Sequence, residues 1–143
     1  MDRIRPMELS DYPAVLALWE TTEGLTLREA DSEEALGRYL ARNPGLSFVA
    51  DAEGRLVGAV LCGHDGRRGY LHHLAVAPAY RGRGLGRTLS DCCLAALRTE
   101  GIFKCHLFVR AENQPALAFW RHLGWLDRPD IVLLSLSRGN VNA

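Results

Sequence analysis

"AVAPAYRGRGLGRTL", residues 75–89, sets three glycines and three arginines between an extended apolar run and a helical one. Upstream, "YLHHLAVAP" reads as a strand. Downstream, "LGRTLSDCCLAALRTEG" places Leu85, Leu89, Cys92 and Ala96 at the spacing of one helix face, and Gly101 stops it. "KCHLFVR" follows as another strand. A strand–helix–strand unit of this kind predicts two parallel strands, near residues 70–77 and 104–110, joined by a right-handed crossover. The glycine-rich turn then sits where the first strand feeds its helix.

The flanking sequence builds outward from this unit. "RIR" starts a strand, and Ser10 or Asp11 caps a helix running to about Glu20, with Pro13 in its first turn and Val15, Leu16 and Trp19 on one face. A second helix follows Asp31 or Ser32, with Ala35, Leu36, Tyr39 and Leu40 on one side and Asn43-Pro44 as its stop. "LSFVADAEGRLVGAVLCG" is a hairpin with Glu53-Gly54 in the turn. Past the crossover, "NQPALAFWRHLG" is a short helix capped by Asn113 and ended by Gly124, and "IVLLSLS" is a last strand. The order β-α-α-β-β-β-α-β-α-β predicts an α/β (α+β) fold. Its sheet is mixed, mostly antiparallel and twisted, with flanking helices and one central βαβ crossover. No repeat, low-complexity tract or linker interrupts it, so one domain over 1–143 is expected.

Lys plus Arg and Asp plus Glu are each 17, giving zero formal net charge. That balance argues against a broad nucleic-acid or anionic-membrane surface, while Arg81, Arg83 and Arg87 still form one local cationic patch. The four cysteines lack C-x-x-C spacing, and no signal-peptide pattern or long apolar run is present. Reduced thiols and a cytoplasmic location are expected. The five histidines (64, 72, 73, 106 and 122) form no H-x-H or H-x-x-x-H pair, so no metal is expected.

The turn itself is suited to an anion. Amides at a helix start are unpaired and lie at the positive end of the helix dipole, and glycines let a phosphate come close. A dinucleotide fingerprint fails because position 87 is Arg. A P-loop fails because Arg87 replaces its Lys and Arg81 its first Gly.

"RGRGLG" at 81–86 matches R/Q-x-x-G-x-G/A. With "LAVAPAYRGRGLG" and "VRAENQPALAFWRHLGW" around it, the chain resembles the GNAT superfamily of acyl-CoA-dependent N-acetyltransferases over nearly its whole length. The resemblance implies acetyl-CoA as co-substrate. In that reading Arg81 opens the motif, and the amides of Arg83, Gly84, Leu85, Gly86, Arg87 and Thr88 wrap the diphosphate, with Gly82, Gly84 and Gly86 allowing its approach. The backbone of Leu74, Ala75 and Val76 pairs with the pantetheine arm like an added strand. An N–H near Val76 polarises the thioester carbonyl. Asn113 reaches the pantetheine arm, and a helix cap explains the same residue. Phe119 and Trp120 border the arm. Many members carry a Tyr where this chain has Trp120, and that Tyr protonates the departing thiolate. An indole is too weak an acid for this, so the acid is unassigned. A thiol with a reference pKa near 8.5 leaves without full protonation. Tyr70 and Tyr80 are the nearby hydroxyls, and Tyr80 reads as packing.

An alkylamine near pKa 10 must lose a proton before it attacks. Strand alternation puts His72 on one face with Tyr70 and Leu74 and turns His73 the other way. Related enzymes place the base on the first of these faces, so His72 is read as general base. His73 is the alternative should a bulge shift the phase. The loop "ETTEGLTLREAD" is the expected acceptor site, with Glu20 and Glu23 attracting a cationic amine and Trp19 and Leu25 covering its apolar part. Transfer is expected to be direct in a ternary complex, because Cys92 and Cys93 lie on the helix body. A small-molecule amine is the favoured acceptor. The alternatives are a protein N-terminus or lysine, or a non-catalytic acyl-CoA-binding module. A homodimer joined through "IVLLSLS" is a further expectation.

Overall fold

The hairpin turn shows how closely local chemistry dictates local structure. Glu53 and Gly54 have φ of 53° and 77°, the left-handed pair that a two-residue hairpin needs to match strand twist. It joins β2 (Phe48–Ala52) to β3 (Arg55–His64) in a computed structural model that describes residues 3–139 and 142–143. The remaining elements are β1 (Arg3–Pro6), α1 (Tyr12–Glu20), α2 (Glu33–Arg42), β4 (Gly69–Val76), α3 (Leu85–Thr99), β5 (Cys105–Leu107) and α4 (Gln114–His122). The sheet order is β1-β2-β3-β4-β5. The first three pairings are antiparallel, and β4 runs parallel to β5 as the crossover requires.

Helix starts follow their cap chemistry. Ser32 Oγ accepts the Ala35 N–H at 3.1 Å at the start of α2, and Asn113 Oδ1 accepts the Ala116 N–H at 3.2 Å at the start of α4. Asp11 precedes α1 but caps nothing in that helix. Its carboxylate is held by the Arg5 guanidinium at 2.8 and 2.9 Å and by the Glu8 N–H at 2.8 Å.

Two apolar clusters cover the sheet. Leu85, Leu89, Cys93 and Leu97 of α3 pack on one face against Val60, Cys62 and Leu71. Val15, Leu18 and Trp19 of α1 and Leu36 of α2 pack on the other against Val49, Ala59, Leu61 and Ala75.

Two sequence expectations change at the far edge. The strand read over 104–110 keeps only Cys105–Leu107, because β5 pairs with β4 through Gly69, Tyr70 and Leu71 and then diverges from it. "IVLLSLS" is not a strand. Its apolar residues are consecutive, so alternation gives it no preferred face, and the short β5 offers little ladder. Ile131, Val132, Leu133, Leu134 and Leu136 all stand exposed, at 58–88%.

Candidate active site

The bulge in β4 organises the site. Leu61 pairs with His72 and Ala59 with Ala75, so Val60 opposes both His73 and Leu74. The extra residue is His73, with φ of 53°, a left-handed conformation that costs a non-glycine residue about 1–3 kcal/mol. Phase inverts across it: Leu71 and Leu74 both pack toward α3, and Ala75 returns to the α1 cluster. This corrects the simple alternation. Leu74 does not share the face of His72, and His73 turns to the α1 side, where its ring meets Trp19 at 5.1 Å.

The same bulge sets the main chain of β4. Ala77 N–H donates to Val57 O at 2.8 Å. Alternation from that bond turns the N–H and C=O of Val76 and Leu74 away from β3, toward the gap left where β5 departs. Ala75 falls on the opposite phase and directs its polar groups at β3, so it is a wall of the gap rather than a ladder partner. Of the three residues expected to offer their backbone, Leu74 and Val76 face the gap and Ala75 does not.

That gap is part of a cleft of about 1200 Å³. Leu71–Val76 and Leu107–Arg110 form its sides. The start of α3 and the 22–26 loop close the ends, and Asn113, Phe119 and Trp120 of the α4 region lie across it.

At the start of α3, Gly82 and Gly84 each have φ of 78°. Gly84 is the N-cap and brings no side-chain acceptor. The first helical bond runs from Thr88 N–H to Gly84 O at 3.0 Å, so the N–H groups of Leu85, Gly86 and Arg87 precede any helical partner. Thr88, expected among the diphosphate-binding amides, does not join these free N–H groups, since its N–H and its hydroxyl both donate to Gly84 O. Gly86 serves packing: a Cβ there would stand 3.1 Å from Phe119 Cζ and 3.5 Å from Leu74 Cδ2. Arg87 lines the cleft. Arg81 straps it, donating from Nε to Val76 O at 2.9 Å and pairing with Glu23 at 3.3 Å. Arg83 lies over the Tyr80 ring at 5.0 Å. Tyr80 itself is buried in the α3 cluster, as a packing residue should be.

His72 lines the cleft beside Tyr70 and Phe108, with ring centroids 6.5 and 6.2 Å away. Burial holds its imidazole below the ordinary value, helped by His73 and opposed by Asp31. His73 Nε2 meets Asp31 Oδ1 at 2.8 Å. Burial pushes the Asp31 carboxyl up, but the bonds from His73 and the Arg28 N–H outweigh it and leave it below the ordinary carboxylate value. Asp31 is the residue sequence reading missed, because a helix cap already explained it.

The acceptor loop divides. Glu23 and Leu25 line the cleft. Trp19, at 1% exposure, is core, and Glu20 points to solvent outside the cleft, so neither takes the expected role. Trp120 is edge-on to Phe119 and Trp125, at 5.0 and 5.3 Å, at the wall of the cleft.

The sequence profile of the acetyltransferase (GNAT) family matches residues 4–125. The chain belongs to the GNAT acetyltransferase family. An acetyltransferase of Pectobacterium atrosepticum is 36% identical over 120 residues, covering 84% of each chain. Among solved structures, the PaiA N-acetyltransferase of Thermoplasma acidophilum, in complex with coenzyme A, superposes with a TM-score of 0.75 at 22% identity, over 87% of this chain and 89% of that one. The ribosomal-protein alanine N-acetyltransferase of Escherichia coli gives 0.70 at 25% identity, over 87% and 77%. The mixed five-stranded sheet with four helices is the GNAT fold, and this GNAT chain is an acyltransferase. No helix among its described residues is long and apolar enough to cross a membrane.

Proposed function

We propose that the chain transfers an acetyl group from acetyl-CoA to a primary amine by direct attack in a ternary complex. The observation that carries this is the uncapped start of α3 opening onto the gap between β4 and β5. The N–H groups of Leu85, Gly86 and Arg87 suit a diphosphate. The outward amides of Leu74 and Val76 suit an extended amide-bearing arm. Asn113 keeps its Oδ1 for the cap and presents Nδ2 toward the 22–26 loop, where a Cβ on Gly24 would stand 2.6 Å from it.

Acetyl-CoA, when bound, supplies the activated acyl group. The Val76 N–H stabilises charge developing on the acyl oxygen. His72, kept neutral by burial, takes the proton that the attacking amine must lose. A relay through cysteine is disfavoured, since burial raises the Cys105 thiol to about 12, and a hydrogen bond from the Cys93 thiol to Cys62, followed by burial, pushes Cys93 up as well.

A small amine is the preferred acceptor. The Glu23–Arg81 pair and the Gly24–Asn113 approach tie the 22–26 loop to the end of the cleft, which favours a compact acceptor over an extended peptide. Amine-dependent CoA release, measured over small amines, lysine peptides and peptides with free N-termini, tests this. Turnover confined to small amines is expected. Preference for peptides would replace that acceptor class, and binding without turnover on any amine would make the chain an acyl-CoA-binding module.

The chain works in the cytoplasm as a dimer in this reading, with the exposed 131–136 segment covered by a second copy. Light scattering should give twice the 15.8 kDa chain mass. Leu134→Glu should shift it to the single mass, and a monomeric parent would remove the pairing.

A further inference from the structure

The least comfortable backbone in the site is also its most heavily braced. His73 holds φ of 53° in the middle of a strand. Its ring is pinned by Asp31 Oδ1 at 2.8 Å and by the edge of Trp19 at 5.1 Å. Asp31 is itself braced. Its carboxylate accepts the Arg28 N–H at 2.9 Å, its carbonyl accepts the Tyr12 hydroxyl at 2.9 Å, and its side chain is only 10% exposed. A strained residue persists where its surroundings over-determine it. Here those surroundings are α1 and the 3-10 turn Glu29–Asp31 that ends the acceptor loop.

We propose that the Asp31–His73 pair is a positioning device. It locks the left-handed bulge of β4, which sets His72 in the cleft and aims the Leu74 and Val76 amides into the gap, and it joins the acceptor loop to the acyl slot. Neither residue moves a proton in this assignment. The consequence is geometric: without the lock, β4 relaxes toward regular pairing, and a one-residue slip reverses every amide and side chain beyond it. The inference rests on the acetyltransferase reading for its catalytic readout, but its structural readout needs no turnover.

Glycine and valine at position 73 separate the two explanations of a histidine there. Both remove the imidazole, but glycine adopts a left-handed φ freely and a β-branched residue resists it. His73→Gly is expected to turn over at least about tenfold faster than His73→Val, the difference between the backbone costs. Asp31→Ala should lose about tenfold or more in kcat with His73 present, and nothing further in the His73→Gly background. Amide NMR spectra should show Leu74 and Val76 displaced in Asp31→Ala and His73→Val, and near their original positions in His73→Gly.

Equal loss in His73→Gly and His73→Val would make the imidazole itself the working group and overturn the proposal. So would an Asp31→Ala defect of full size in the His73→Gly background, which would assign Asp31 to its contact with Arg28. If the parent protein acetylates no amine, the proposed function fails, and the amide spectra alone then decide whether the pair sets the bulge.

Discussion

Replacing His72 with alanine is expected to lower kcat by about 10²- to 10⁴-fold, the usual worth of a positioned proton acceptor, without changing acetyl-CoA binding. The ring lies against both Tyr70 and Phe108 in the cleft, and among the described residues its nitrogens have no hydrogen-bond partner that would have to be broken first. The pH dependence follows from the direction of its shift. Only neutral imidazole accepts a proton, and burial favours the neutral form. The acid limb of kcat/KM therefore falls below the ordinary imidazole value of about 6.5. Activity survives mild acid, declines as pH drops through that lower value, and the limb vanishes in His72→Ala. A variant with full turnover, or a limb that survives the substitution, would remove His72 from the role.

Gly84→Val is expected to weaken acetyl-CoA binding by about 10- to 100-fold, or about 1.4–2.7 kcal/mol. A Cβ on Gly84 meets nothing within 4 Å, so the effect is not a clash. It comes from φ of 78°, which valine resists. The cap then relaxes and re-aims the amides of Leu85, Gly86 and Arg87. Folding stability should fall by only about 1–2 kcal/mol, and urea denaturation separates the two losses. Unchanged affinity with a displaced cap would show that these amides do not carry the diphosphate.

What sequence revealed, and what it hid, divides by range of interaction. The Glu53-Gly54 turn, the Ser32 and Asn113 caps and the opening of the α3 face at Leu85 and Leu89 depend on residues a few positions apart, and local chemistry predicted them; that face then continues through Cys93 and Leu97 rather than the expected Cys92 and Ala96. The "IVLLSLS" strand failed because a consecutive apolar run is equally a strand or an arm awaiting a partner. Trp19 was assigned to substrate because an aromatic near a loop looks accessible, while its burial depends on β3 and β4. The bulge was anticipated only as an alternative. Its brace was invisible, since Asp31 and His73 are 42 residues apart and nothing at either position marks the other.

Calorimetric titration with acetyl-CoA and with acetyl-pantetheine, which lacks the diphosphate, tests the central claim most directly. Saturable binding of acetyl-CoA, at least about 100-fold tighter than acetyl-pantetheine and reduced in Gly84→Val, is the predicted result. Equal affinity for both ligands, or no heat with acetyl-CoA up to about 1 mM, would contradict an anion cradle at the start of α3.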